Sequence, residues 1–377
     1  MNFNLNGTRL REARRYRHMT IAYLADKISV SKQMISRYER GNASPGLEVF
    51  QKIIETLKFP LDYFTTKDRF VLEDDGTFFR SRLTATQSEK EPSATYKRAI
   101  GVVRDYFGEF IDFPELIDSQ IDIDNPRKAA MELRKRWELG DKPISNVMHL
   151  LETHGFIVAA VDTGSKKIDA HSGFISIDGR SYYVVLVDKV NNAFFRQQFS
   201  LAHELGHYIL HANVLNPQEL DAEEYRQMEK EANQFAAEFL LPAPAFERSL
   251  NTRKLDLGYY LLLKNQWHVA IAAMVYRARD LGLVSVDDYL KLQKKISYRQ
   301  WRKEEPLDST TASSKPELLK QSFNLLKQEK IIIPNALGHE LGVRYGTPFP
   351  NEILAEIIGV DLNQFSGEIV QLKSFLK

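Results

Sequence analysis

The chain has no cysteine among its 377 residues. A disulfide framework is thereby excluded, and any zinc must rest on histidine and carboxylate ligands alone. Long apolar runs are also missing. Tyr182–Val187 and Tyr259–Leu263 fall far short of the roughly 18 to 20 residues that a spanning helix needs. The N-terminus has no apolar stretch of the signal-peptide kind, so a cytoplasmic location is expected. Net charge is nearly absent at +1, yet that balance hides two unlike regions. Residues 1–40 hold nine Lys+Arg against three acids, whereas residues 215–250 hold eight acids against three bases. Length and ordinary hydrophobic content leave room for two or three domains, with neither an internal repeat nor a low-complexity tract.

The basic end divides into short helices with clear stops. Leu10, Ala13 and Tyr16 mark an amphipathic helix, and Thr20 is an N-cap for a second with Ile21, Leu24, Ala25 and Ile28 inward. Ser31 caps a third, with Met34, Ile35 and Tyr38 inward and a stop at Gly41; Ser44-Pro45 opens a fourth and Pro60 a very short fifth. A turn of about three residues between the second and third helices suits a pair in which one crosses phosphates and the next enters the major groove. The run Met19–Gly41 resembles the Xre, lambda-repressor-like regulators. The resemblance implies a structural ion pair between Arg14 and Glu39, and a homodimer on a pseudo-symmetric double-stranded DNA operator. Ser31, Lys32, Gln33, Ser36, Arg37 and Asn42 are the expected DNA-facing residues: Gln and Arg suit base edges, and Lys32, Ser36 and Asn42 suit phosphates. Ile21 stands where the family often has Gln.

From residue 69 to 124 the pattern weakens. Asp74-Asp75-Gly76 reads as a turn, Glu91-Pro92-Ser93 as a break, and a helix is expected from about Ala94 to Phe110, the whole forming a hinge. Pro126 then opens a helix carrying Ala129, Ala130, Leu133 and Trp137, and residues 144–153 form another. Strands are expected at 156–161, 173–177 and 181–187, where Val, Ile, Tyr and Phe concentrate.

The segment after them carries the chemistry. In Phe199–Ala212, His203 and His207 lie four apart with Glu204 between them. On a helix both imidazoles can face one zinc ion while Glu204 acts as general base toward an activated water, the zincin peptidase arrangement. In zincins an edge strand above this helix receives the substrate backbone, and one of the segments 173–177 and 181–187 is the natural candidate. A third ligand must come from elsewhere. On the acidic helix of residues 221–241, Glu231 borders an inner stripe of Ala232, Phe235, Ala236, Phe239 and Leu240, with Glu223 and Glu229 reading as more exposed. Glu224 and Glu238 share its side, so spacing leaves the choice open.

Phe199–His211 together with Glu231-Ala-Asn-x-Phe-Ala-Ala-x-x-Leu-Leu-Pro242 resembles the ImmA/IrrE metallopeptidases of phage, mobile-element and stress regulation. That resemblance, covering about 125–242, implies His203, His207 and Glu231 as Zn2+ ligands and Glu204 as catalytic base. Leu241 replaces a frequent Met, and Gln198 stands at a usually basic position. Tyr208, His211 and His171 are candidates for oxyanion or outer-shell roles.

The expected fold is multidomain: an all-α helix-turn-helix unit (1–68), a linker and connecting helix (69–124), an α+β zincin-like domain with a small sheet (125–250), and a mostly α C-terminal region (251–377). In the last, residues 267–284 read as one amphipathic helix, residues 309–314 as a flexible stretch and residues 316–377 as a separate bundle. The resulting expectation is a DNA-binding regulator with a zinc endopeptidase that cleaves a repressor or antitoxin-like partner, or itself. A repressor or antitoxin with a non-proteolytic zincin scaffold is the alternative.

Overall fold

The computed structural model describes residues 5–73, 78–79, 87–116, 123, 125–162, 170–190, 193–212, 220–250 and 252–366. The Asp74–Gly76 turn lies outside them. At the N-terminal end the capping residues set the element boundaries: Asn6, Thr20 and Ser31 each accept a backbone N–H at the start of α1 (Gly7–Tyr16), α2 (Ile21–Lys27) and α3 (Lys32–Glu39). α4 (Leu47–Leu57) and α5 (Leu61–Thr65) follow, the latter after Pro60. Arg14 is buried and donates to Glu39 at 2.5 and 3.1 Å and to the Met19 carbonyl at 2.7 Å, which ties α1 to α3 and to the start of α2.

Three strands of ordinary length form the sheet: β3 (Ile157–Val161), β4 (Ala170–Ile177) and β5 (Arg180–Asp188). β4 and β5 are antiparallel around Asp178-Gly179, both at positive φ (50° and 78°), as a two-residue hairpin of this twist requires. β3 pairs with β5 in parallel, Ile157 opposite Val184. Two short strands earlier in the chain, β1 (Leu72–Glu73) and β2 (Phe78–Phe79), both pair antiparallel with β4, so the order is β1-β4-β5-β3 with β2 also on β4.

Both faces of the sheet are buried. One, with Ile157, Ala159, Ile175, Ile177, Val184 and Leu186, shares a continuous core with α1–α5 and with α6 (Gln87–Phe107). α15 (Leu318–Gln328), α16 (Leu337–Tyr345) and α17 (Asn351–Ile358) complete that core. The opposite face, with Val158, Ala170, Tyr183, Val185 and Val187, packs on α7 (Pro126–Arg136), α8 (Val147–Thr153), α9 (Phe194–His211) and α10 (Ala222–Leu240). α11 (Ala243–Leu250), α12 (Leu257–Trp267), α13 (Ile271–Asp280) and α14 (Val286–Tyr298) extend this second core.

Several boundaries differ from expectation for local reasons. α6 runs through Pro92 and its inner residues Ala99, Ile100, Val103 and Phe107 are fully buried, so it is a core helix and not a hinge. The helix expected from Trp267 starts four residues later, at Ile271, because Trp267 ends α12 and His268 takes a left-handed C-cap. The buried carboxylate of Glu305 accepts the Ile271 and Ala272 N–H groups (2.7 and 2.9 Å) and so holds that start. Ser314 exchanges two hydrogen bonds of 2.9 Å with Gln197 of α9, and the helices of 318–358 join the first core instead of forming a separate bundle.

Candidate metal centre and DNA-reading helix

α9 carries the site because it is buried on nearly every side. His203, His207, Glu204, Leu205 and Gly206 are all inaccessible or nearly so. Gly206 has a packing reason: a Cβ there would stand 3.1 Å from both the Ala232 carbonyl oxygen and the Phe235 ring, so any larger residue would push α10 back by a few tenths of an ångström. α10 is fixed in turn by a capping box at Asp221 and Glu224, and at its other end by the buried pair of Glu238 with Arg277.

The crossing brings Glu229, not Glu231, against the histidine pair. His203 Nε2 and His207 Nε2 lie 3.1 Å apart, and each is 3.4 Å from a different Glu229 oxygen. Along α9, Glu229 and Asn233 of α10 meet His203, and Glu231 meets His211. Glu229 is accordingly less exposed than Glu231, 16 % against 28 % for the side chains, the reverse of the sequence expectation. Burial opposes its ionisation, but hydrogen bonds and charge from His203 and His207 outweigh this and hold it well below the usual carboxylate range. Its Oε1 is buried and has no well-formed hydrogen bond, only the 3.4 Å contact with His207 Nε2. Two imidazole nitrogens and a carboxylate converging within 4.8 Å suit a zinc ion, and the unsatisfied oxygen fits a ligand position better than a packing one.

The outer faces of both histidines are held as well. His203 Nδ1 meets Asn233 Oδ1 at 3.2 Å, and Asn233 Nδ2 donates to the Glu229 carbonyl at 2.6 Å. His207 Nδ1 meets His211 Nδ1 at 3.2 Å, and His211 Nε2 reaches Glu231 Oε2 at 3.0 Å. Glu231 is therefore one residue removed from the cluster, and His211 is the link; burial and then His207 lower the His211 pKa to about 4. Such contacts fix ring orientation and leave the two Nε2 atoms facing inward.

β4 supplies the remaining contact. Ser172 Oγ donates to Glu204 Oε2 at 2.5 Å and lies 2.8 Å from the Tyr183 hydroxyl, which must then donate to Ser172. Burial, followed by the Glu204 charge, raises the Tyr183 pKa well above 10, so it stays a donor. Strand alternation sends the neighbouring His171 to the other face. There burial and then Lys97 of α6 lower its pKa to about 3, and it has no part in the cluster. Tyr208 packs edge-on between Phe156 and Tyr183, as a spacer between helix and sheet. Sequence reading missed Glu229, Asn233, Ser172 and Tyr183; the i, i+4 spacing of Glu229 and Asn233 was the one available signal.

On α3, Lys32, Gln33, Arg37 and Asn42 just beyond it are exposed, and Ser36 is half-buried. The Ser31 hydroxyl accepts the Met34 N–H at 3.1 Å, so it serves the helix start first. No helix among the described residues is long and apolar enough to cross a membrane.

Among curated proteins none matches the chain. Residues 10–64 match the helix-turn-helix family profile, and residues 151–279 match the IrrE N-terminal-like domain of the M78 peptidases. The chain joins a helix-turn-helix DNA-binding unit to an ImmA/IrrE-type peptidase domain.

Proposed function

We propose that this DNA-binding regulator is a zinc-dependent endopeptidase that cleaves a protein partner, repressor or antitoxin-like, or its own chain, in a stress or mobile-element response. The observation that carries this is the convergence of His203, His207 and Glu229 beside a Glu204 whose carboxylate is oriented from the sheet. His203, His207 and Glu229 would hold the ion, with Asn233, and Glu231 through His211, orienting the two rings. When bound, zinc supplies an activated water and polarises the scissile carbonyl. Glu204, positioned by Ser172, takes a proton from the attacking water and returns it to the leaving amine nitrogen. A carboxylate already fixed by a hydrogen bond loses little freedom on reaching that geometry.

α3 presents Lys32, Gln33 and Arg37 to the major groove, and the unit acts on its operator as a homodimer. The test is Glu204→Gln, which keeps the donor set and the DNA-reading face. Cleavage products are compared by mass spectrometry in cells expressing either form. Products that accumulate with wild type alone support the proposal; regulation that proceeds with no product from either form defeats it.

A further inference from the structure

The outer edge of β4 is already covered by the chain itself. Leu72 and Glu73 lie opposite Ile177 and Ser176, and Phe78 and Phe79 lie opposite Ser172 and His171, all antiparallel. Phe78 thus sits one strand spacing, about 4.8 Å, from the strand position whose side chain orients Glu204. The other edge of β4 pairs with β5 along its whole length. An extended peptide joining the sheet beside the site must therefore use the groups that β1 and β2 now occupy, and each backbone N–H and C=O on that edge takes one strand at a time.

The covering strand is also tied to the helix-turn-helix unit. α5 ends at Thr65, and the Thr66 hydroxyl donates to the Gly346 carbonyl at 2.7 Å. Arg69 N–H donates to the Tyr345 carbonyl at 2.9 Å, and Val71 exchanges bonds with Asp178, its N–H to the carboxylate at 3.0 Å and its carbonyl from the N–H at 3.2 Å. A Cβ on Gly346 would come within 2.0 Å of the Lys67 carbonyl oxygen, so the chain runs hard against the end of α16. Only residues 66–71 separate the last helix of the DNA-binding unit from the covered edge.

We infer that β1 and β2 are an intramolecular occupant of the peptide-binding edge, antiparallel to β4, which keeps other peptides from the site while the helix-turn-helix unit stays docked. The inference rests on the peptidase reading for its meaning, but its test needs no cleavage. In full-length protein carrying Glu204→Gln, residues 72–79 are replaced by eight Gly and Ser residues. Binding of a fluorescent peptide copying residues 70–82 is then measured by anisotropy against the same protein with the segment intact. At least tenfold tighter binding to the replaced form is expected. Equal affinity for both, or no binding by a replaced form that still binds zinc and DNA, overturns the inference and leaves the peptidase reading standing.

A cysteine pair gives an independent check in a chain that has no other thiol. Glu73→Cys with Ser176→Cys places the two positions opposite each other in register. Antiparallel partners, roughly 4.5 to 5.5 Å apart at Cα, fall within disulfide reach. Rapid crosslinking under mild oxidation supports the covered edge, and persistent free thiols in the folded protein reject it.

Discussion

Two glutamates, two positions apart on α10, stand near the histidines where the resemblance implied one. Glu229 faces both Nε2 atoms, whereas Glu231 reaches His207 only through His211. Glu229→Ala is expected to abolish tight zinc binding. Glu231→Ala should keep one zinc per chain and weaken it about 10- to 100-fold, the usual effect of losing an outer-shell partner. Zinc retained after dialysis against a chelator series decides this, and the opposite ranking would restore Glu231 as the ligand. On α3, Gln33→Ala and Arg37→Ala should each cost about 1–3 kcal/mol and relax base preference, while Lys32→Ala should weaken all sequences alike and reduce the salt slope. Operator titrations at several salt concentrations separate the two behaviours, and a uniform loss from all three would remove Gln33 and Arg37 from base reading. The residues legible in the sequence were those with local spacing: the His203–Glu204–His207 run and the caps at Thr20 and Ser31. Ser172 and Tyr183 were not, because they meet Glu204 through the register of two strands, which no spacing within one segment encodes.

Elements were readable wherever a local stop coincided with a change of period, and less so where tertiary contacts moved the boundary. The three principal strands and α9 follow from composition. The sequence pattern places the start of α13 too early, because that start depends on Glu305, more than thirty residues away, capping Ile271. β1 and β2 are two residues each and exist only by pairing with β4. One contact between distant elements has a pH signature. Glu152 of α8 is buried and accepts the Glu317 and Leu318 N–H groups at 2.9 Å, capping the start of α15. Burial raises its pKa to about 7 from 4.5, the two backbone bonds oppose the rise, and the Glu317 charge adds to it. The folded state therefore binds a proton that the unfolded chain has released. This contribution is fully present below about pH 4.5 and is lost as pH rises through about 7. Its size is on the order of 3 kcal/mol at most. Glu152→Gln keeps an acceptor and removes the titration, so urea midpoints at pH 5 and pH 8 should lie closer together than in wild type. An unchanged gap would assign the pH dependence elsewhere.

At the scale of the molecule, the helix-turn-helix unit, the small-sheet domain and the helical C-terminal region are all present, and they pack into two cores on either side of one sheet. The first is built from all four regions of the chain, so the DNA-binding unit does not ride on a hinge. Asp105 of α6 shows why: its buried carboxylate accepts the hydroxyls of Tyr182 on β5 (2.7 Å) and Tyr345 on α16 (2.8 Å), joining sheet, connecting helix and C-terminal region at one point. Arg9 of α1 is nearly inaccessible and bonds Thr347 at 2.6 Å, with Asp68 bridging both. Leu354 of α17 is fully buried in this same core. Leu354→Ala should cost about 2–5 kcal/mol, as deletion of a buried leucine side chain does. Because the core is shared, that loss should lower the thermal midpoint of operator binding together with that of helix content. A destabilised C-terminal region with the DNA-binding transition left in place would show two independent folding units. It would also free the helix-turn-helix unit to move without straining residues 66–71, and the covered edge of β4 would lose its mechanical link to DNA.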